Sequence, residues 1–196
     1  KQSLLFTGLE SIKYNLNRKQ NNLKFFEFDK TYNRVNNQTE ETKKIGIYMT
    51  GLYQDDHFAM KNKEVSFFEL YNTINKIMIQ SNIIYGSIKT KSKILDECIS
   101  INSNKKTIAT IGKINQDLLN SFEINQDVYY AELEWENYKN NLDYTLKYKP
   151  ISKFPEVKRD LSIILDNKKN YSDILNIINK SNKIIKNTSL YNVYEG

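Results

Sequence analysis

Apolar residues recur along the chain with two periods, and the two periods mark out its elements. Leu5, Leu9, Ile12 and Leu16 fall at helical spacing, so a helix is predicted over 7–16. Thr7 and Glu10 have capping-box spacing at its start, a pairing that satisfies free backbone N–H groups. A polar turn leads into a predicted strand at 23–28. Residues 33–44 read as a polar connection. In the next strand, 45–53, Ile45, Ile47 and Met49 alternate onto one face. A surface loop at 55–63 precedes a second capping box, Ser66 with Glu69. It opens the strongest helix of the chain, with Phe67, Leu70, Tyr71, Ile74, Ile77 and Met78 on its apolar face.

Three β-prone runs follow, at 83–88, 94–101 and 107–112, with Ser103-Asn104 placed as a hairpin turn between the last two. A short helix at Gln116–Ser121, a strand at 128–135 and a helical turn at 136–141 complete this part. Strands and helices mix without strict βαβ alternation. The expected class is therefore α+β, an antiparallel or mixed sheet with helices packed on it.

Both prolines, Pro150 and Pro155, then fall within six residues. Proline fixes φ and pushes its predecessor into extended backbone, so 149–155 reads as a hinge. Beyond it, a strand at 161–165, a helix at Tyr171–Ser181 and a strand at 189–194 make a β-α-β unit. Such a unit leaves strand edges unpaired and one sheet face bare. It is expected to be part of a larger domain, and the chain to be a fragment cut inside that domain. The predicted division is 1–146 and 147–196.

Charge sharpens this division. Residues 147–196 hold ten basic and five acidic residues, so five of the six net positive charges lie there. An acidic partner such as nucleic acid fits that balance, although Asn, Ile and Lys are heavily used throughout and part of the lysine signal is compositional. Aromatics are 12% of the residues, including 14 Tyr, enough to fill a core. The single Cys98 makes no internal disulfide, so a reducing, cytoplasmic setting is the default. No apolar run approaches the ~20 residues needed to span a bilayer, and no membrane association is expected.

The residue types that do chemistry are sparse. His57, beside Asp55 and Asp56, has the chemistry of a base or ligand, but no spacing supports a triad or a zinc site, and it reads as a loop residue. Cys98 reads as a buried thiol. Glu132 and Glu134 share a strand face, which suits a hard metal or acid–base work, and equally a solvated outer face. The scattered glycines form no phosphate cradle. No catalytic or metal residue is assigned. In the basic last quarter, Lys149, Lys153, Lys158 and Arg159 suit phosphate contacts, and Phe154, Tyr191 and Tyr194 offer stacking surfaces for unpaired bases.

The residues around the hinge carry a resemblance. Phe154, Pro155, Arg159, Asp160 and Leu161 match a Lys-Phe-Pro-x-x-x-Arg-Asp-Leu signature. Val193, Tyr194, Glu195 and Gly196 match the end of a Phe-Asp-Val-Tyr-Glu-Gly-like strand, with Tyr191-Asn192 in place of Phe-Asp. This stretch resembles the ferredoxin-fold anticodon-binding domain of bacterial phenylalanyl-tRNA synthetase beta subunits. Upstream, Ser3-Leu4-Leu5, Gly8-Leu9-Glu10, Tyr14 to Arg18, Phe26-Glu27-Phe28 and Tyr129 to Leu133 are similar to the same subunit's catalytic-like domain. Residues 97–101 and Asn115-Gln116 stand where that family has Pro-Gly-Arg-Ser-Ala-like and His-Pro-like elements.

The resemblance implies a degenerate class II synthetase core without a working active site, followed by the first half of a ferredoxin-like fold. It implies an alpha subunit as partner in an (αβ)₂ heterotetramer, tRNA as ligand of the last domain, and ATP and magnesium used by the whole ligase rather than bound by this piece. The role implied is packing on the alpha subunit and contact with the anticodon region of tRNA, without catalysis by the isolated chain. The alternative is a protein-interaction module with no RNA contact.

Overall fold

In the computed structural model the chain divides into two compact units, Lys1–Lys147 and Tyr148–Gly196. The structure describes residues 1–35, 37–54, 62–143, 145, 154–166, 171–182 and 184–194.

The first unit is built on a six-stranded sheet. Its elements in chain order are α1 (Leu5–Leu16), β1 (Leu23–Val35), β2 (Gln38–Thr50), β3 (Leu52–Gln54), β4 (Lys63–Glu64), α2 (Phe67–Gln80), β5 (Gly86–Lys89), β6 (Leu95–Ser103), β7 (Lys106–Ile114), α3 (Gln116–Ser121), β8 (Val128–Glu134) and α4 (Trp135–Asn140). The large sheet runs β1-β2-β8-β7-β6-β5, and β3 with β4 makes a small separate ribbon. Every ladder is antiparallel, so the mixed-sheet option is set aside.

Each face of the sheet carries helices. On one face Leu5, Leu9 and Ile12 of α1 bury against Tyr48, Ile114, Val128 and Tyr130. On the other, Leu70, Ile74 and Met78 of α2 bury against Met49, Ile111, Ala131 and Leu133, with Tyr138 of α4 packed alongside. Strand residues alternate between faces, so one strand feeds both cores: Tyr48 points to α1, while Ile47 and Met49 point to α2.

α2 matches its prediction. Glu69 accepts from the Ser66 backbone N–H at 2.8 Å and from its hydroxyl, closing the capping box. α1 begins two residues earlier than expected and has no capping box. The Thr7 hydroxyl donates instead to the Leu4 carbonyl at 2.8 Å and to Glu27 at 2.9 Å, because β1 brings a carboxylate to the helix start.

The polar stretch at 33–44 is not a connection. β1 and β2 pair without interruption from Leu23↔Thr50 to Val35↔Gln38. Continuous backbone pairing holds these polar residues extended, helped by a Thr31–Thr42 hydroxyl contact at 2.7 Å and a Lys30–Glu41 ion pair at 2.7 Å. The break predicted nowhere inside 45–53 falls at Gly51, which has φ +78° and separates β2 from β3. The β6–β7 turn sits one residue later than expected, on Asn104 and Lys105, both at positive φ as a type I′ hairpin requires.

In the second unit the helix α5 (Tyr171–Ser181) forms as predicted, with Ile174, Leu175 and Ile178 half-buried. The strands expected at 161–165 and 189–194 are not found. Among the described residues no ladder pairs either run, and a strand exists only through a neighbour's N–H and C=O groups. Glu195, Gly196 and the part of the hinge at 146–153, with Pro150, lie outside the described residues.

Candidate functional site

The centre of the α1 face changes from apolar to charged as β2 and β8 run outward. Lys44 stands between two carboxylates of β8, 2.7 Å from Glu132 and 2.8 Å from Glu134. The Tyr130 hydroxyl donates to the other oxygen of Glu132 at 2.7 Å. The Tyr48 ring lies 5.0 Å from that of Tyr130, and its hydroxyl donates to the Leu4 carbonyl at 2.7 Å. Burial opposes the charge on Lys44, but Glu132 and Glu134 outweigh it and raise the ammonium above its ordinary value. Burial also raises the Tyr48 and Tyr130 phenols, which stay protonated. On the neighbouring strand, Lys1 pairs with Glu27 and, at 3.0 Å, with Asp29.

This arrangement settles how Glu132 and Glu134 are used. They do share a face, as their spacing predicts, but both are spent on one lysine and one tyrosine. Lys44, 88 residues away from Glu132, is the residue that sequence reasoning missed. Among the described residues no cluster of three or more His, Cys, Asp or Glu side chains has the makings of a metal site. Cys98 is buried and accepts a hydrogen bond from Thr90 at 3.3 Å. His57, with Asp55 and Asp56, lies outside the described residues.

The residues proposed for RNA fall into two groups. Lys149 and Lys153 lie outside the described residues. Phe154, Lys158, Arg159, Tyr191 and Tyr194 are all exposed, Tyr191 at 99% and Tyr194 at 91%. Arg159 donates to the Lys158 carbonyl at 3.2 Å. Large aromatic rings so open to solvent sit in a unit whose helix buries little, which is the exposure a stacking surface needs.

The architecture itself defines a class. A chain of known structure, Desulfitobacterium hafniense PylSc, a pyrrolysyl tRNA synthetase, superposes with a TM-score of 0.52 at 12% identity, over 70% of this chain and 48% of that one. The sheet with its flanking helices is thus a tRNA synthetase-like fold. The family model described as the phenylalanyl tRNA synthetase beta chain CLM domain matches residues 1–135, and that of the ferredoxin-fold anticodon binding domain matches residues 152–196. The chain belongs to the phenylalanyl-tRNA synthetase beta chain family. Proteins named phenylalanine–tRNA ligase beta subunit from Bacteroides fragilis and Porphyromonas gingivalis are 33% and 31% identical across the whole of this chain. The chain spans about a quarter of the length of these curated relatives, 26% in both. Among the described residues no helix is long and apolar enough to cross a membrane.

Proposed function

We propose that the chain is a non-catalytic part of a phenylalanine–tRNA ligase, serving the charging of tRNA by packing on a catalytic alpha subunit and by touching tRNA. In this reading the first unit is a degenerate class II synthetase core within an (αβ)₂ cytoplasmic assembly. The second is the first half of an anticodon-binding domain, with Lys149, Lys153, Phe154, Lys158, Arg159, Tyr191 and Tyr194 as its RNA-facing residues. ATP and magnesium belong to the whole enzyme. The observation that carries the reading is the commitment of Glu132 and Glu134 to Lys44 and Tyr130, which turns the carboxylates on this sheet face into structural ties.

The test is co-expression with the cognate alpha subunit, with complex mass read by light scattering and charging of tRNA with labelled phenylalanine. A stable complex and no charging by the chain alone are expected. A monomer in the presence of alpha, or charging without it, overturns the reading. A second reading, a protein-interaction module with no RNA contact, is favoured by the absence of a ladder at 161–165 and 189–194 among the described residues. It requires that Arg159→Ala and Tyr191→Ala leave tRNA affinity unchanged.

A further inference from the structure

Strand β1 lies at the edge of the sheet, and its two faces differ in kind. The positions pointing to the α2 side are Lys24, Phe26, Phe28, Lys30 and Tyr32, an alternation of cation and ring along one strand. α2 and α4 cover the middle of that side and leave most of this column open, so Phe26 is 73% and Phe28 50% exposed. Phe28 is braced by the edge of Trp135, ring centroids 5.1 Å apart. The register places Lys43 opposite Lys30, and Arg34 follows Tyr32 on the same side. Against these four cations stands Glu41, paired with Lys30. The opposite side of the same two strands carries Glu27, Asp29 and Glu40 with Lys44. One ribbon is thus basic and aromatic on one side and mainly acidic on the other.

We infer that this side of β1 binds single-stranded RNA, with bases stacked on Phe26, Phe28 and Tyr32 and phosphates held by Lys24, Lys30, Lys43 and Arg34. Alternate residues on a strand stand about 6.8 Å apart, so each ring has room for its own base, and the stripe from Lys24 to Tyr32 runs about 27 Å. Sheets that present exposed aromatics to unpaired bases work in this way. The lysines choose RNA over a protein partner, because lysine is depleted at protein–protein interfaces while aromatics are enriched there. At the Lys24 end, its ammonium lies 4.2 Å from the centroid of the Tyr53 ring. Beyond it lies a shallow cavity of about 280 Å³ lined by Tyr53, Lys63, Glu69, Asn72, Asn75 and Lys76, where Glu69 neutralises Lys63 and Lys76 is the remaining cation. The inference rests on the proposed function only in taking RNA as the ligand. It concerns a different unit and different residues.

The test measures binding of the full chain to a fluorescein-labelled, unstructured 12-nucleotide RNA and to a duplex RNA of equal length, by anisotropy at several salt concentrations. Phe26→Ala is expected to weaken single-strand binding about tenfold and duplex binding little, with Phe26→Tyr retaining affinity. Lys24→Gln with Lys30→Gln is expected to reduce the salt slope by roughly 1.4. Phe26 is exposed, so an unchanged melting temperature certifies the fold, and Lys24→Gln gives an independent reading. Unchanged single-strand affinity in Phe26→Ala overturns the inference. So does a loss of alpha-subunit association with RNA binding intact, which makes the stripe a protein interface. If Tyr191→Ala alone abolishes binding, the inference fails and the proposed function stands. If Phe26→Ala alone weakens it, the inference stands and only the RNA-facing role given to the second unit fails.

Discussion

Gly8 and Tyr48 are packed so closely that a β-carbon on Gly8 would stand 2.1 Å from Cε1 of the Tyr48 ring. Tyr48 is fully buried, stacked on Phe25 at 4.8 Å and anchored through its hydroxyl to the Leu4 carbonyl. The ring has nowhere to retreat, because Gly46 approaches the same hydroxyl from the strand. α1 therefore sits on the sheet by means of a glycine that admits a tyrosine.

Gly8→Ala is expected to destabilise the first unit by about 3 kcal/mol, the upper end of the usual cost of overpacking a filled core. Tyr48→Phe removes the bond to Leu4 and the hydroxyl contact with Tyr130 and should cost about 1 kcal/mol. Thermal melts of both variants check the order. A Gly8→Ala melt equal to wild type would show that α1 is not seated in this way.

Glu69 supplies an acid-sensitive contribution. Burial works against its ionisation, but Lys63 at 2.5 Å and the two Ser66 donors outweigh it and hold the carboxyl down at about 2. A carboxylate held below its ordinary 4.5 contributes stability that is fully present above that value and lost as pH falls toward 2. Glu69→Ala should cost about 1–2 kcal/mol at pH 7, by loss of the cap, and its melting temperature should converge with that of wild type between pH 4.5 and 2. Urea titrations across that window measure both.

Lys44 gives the opposite sign. Its ammonium is raised above 10.5, so its contribution is present below that value and lost as pH rises through the folded value. Lys44→Met leaves Glu132 and Glu134 side by side without their cation and should cost roughly 3 kcal/mol at pH 7. Adding Glu132→Gln to Lys44→Met should recover part of that loss. A double variant less stable than Lys44→Met refutes the ion-pair account.

The Asn104-Lys105 turn holds a lysine at φ +64°. A side chain at this backbone angle is strained and glycine is not. Lys105→Gly creates the Asn-Gly pair that type I′ hairpins favour and should raise stability by about 0.5 kcal/mol, visible as a small upward shift in melting temperature.

Local signals were legible in the sequence and cross-strand ones were not. α2, α3 and α5 could be read because helical periodicity and capping involve residues within a few positions, as Ser66 with Glu69 shows. The same capping spacing misled at Thr7, where the deciding partner, Glu27, comes from another strand. The outer halves of β1 and β2 carry little apolar alternation, so residues 33–44 read as a connection, although the backbone ladder alone makes them strands. Glu132 and Glu134 were correctly placed on one face. Their meaning depended on Lys44, brought in by the register Lys44↔Glu134. The basic and aromatic stripe of β1 has the same period of two as Ile45, Ile47 and Met49, but it runs past Phe28 into residues whose polarity masks the strand.

The strand order has a kinetic consequence. β1 with β2 is a local hairpin, and β5 to β8 pair in sequence as a meander, so both form from neighbouring segments. One ladder, β2 with β8, joins them, and it carries the distant ties: Lys44 to Glu132, Thr50 to the Asp127 carbonyl and Gln126 to Thr50. Zipping that seam closes a loop of 77 residues between Thr50 and Asp127, an entropic cost that the hairpins do not meet. Folding should therefore proceed as two preformed half-sheets waiting on one late docking step, and the charged cluster at Lys44 should act as the clasp that slows their separation once it is made.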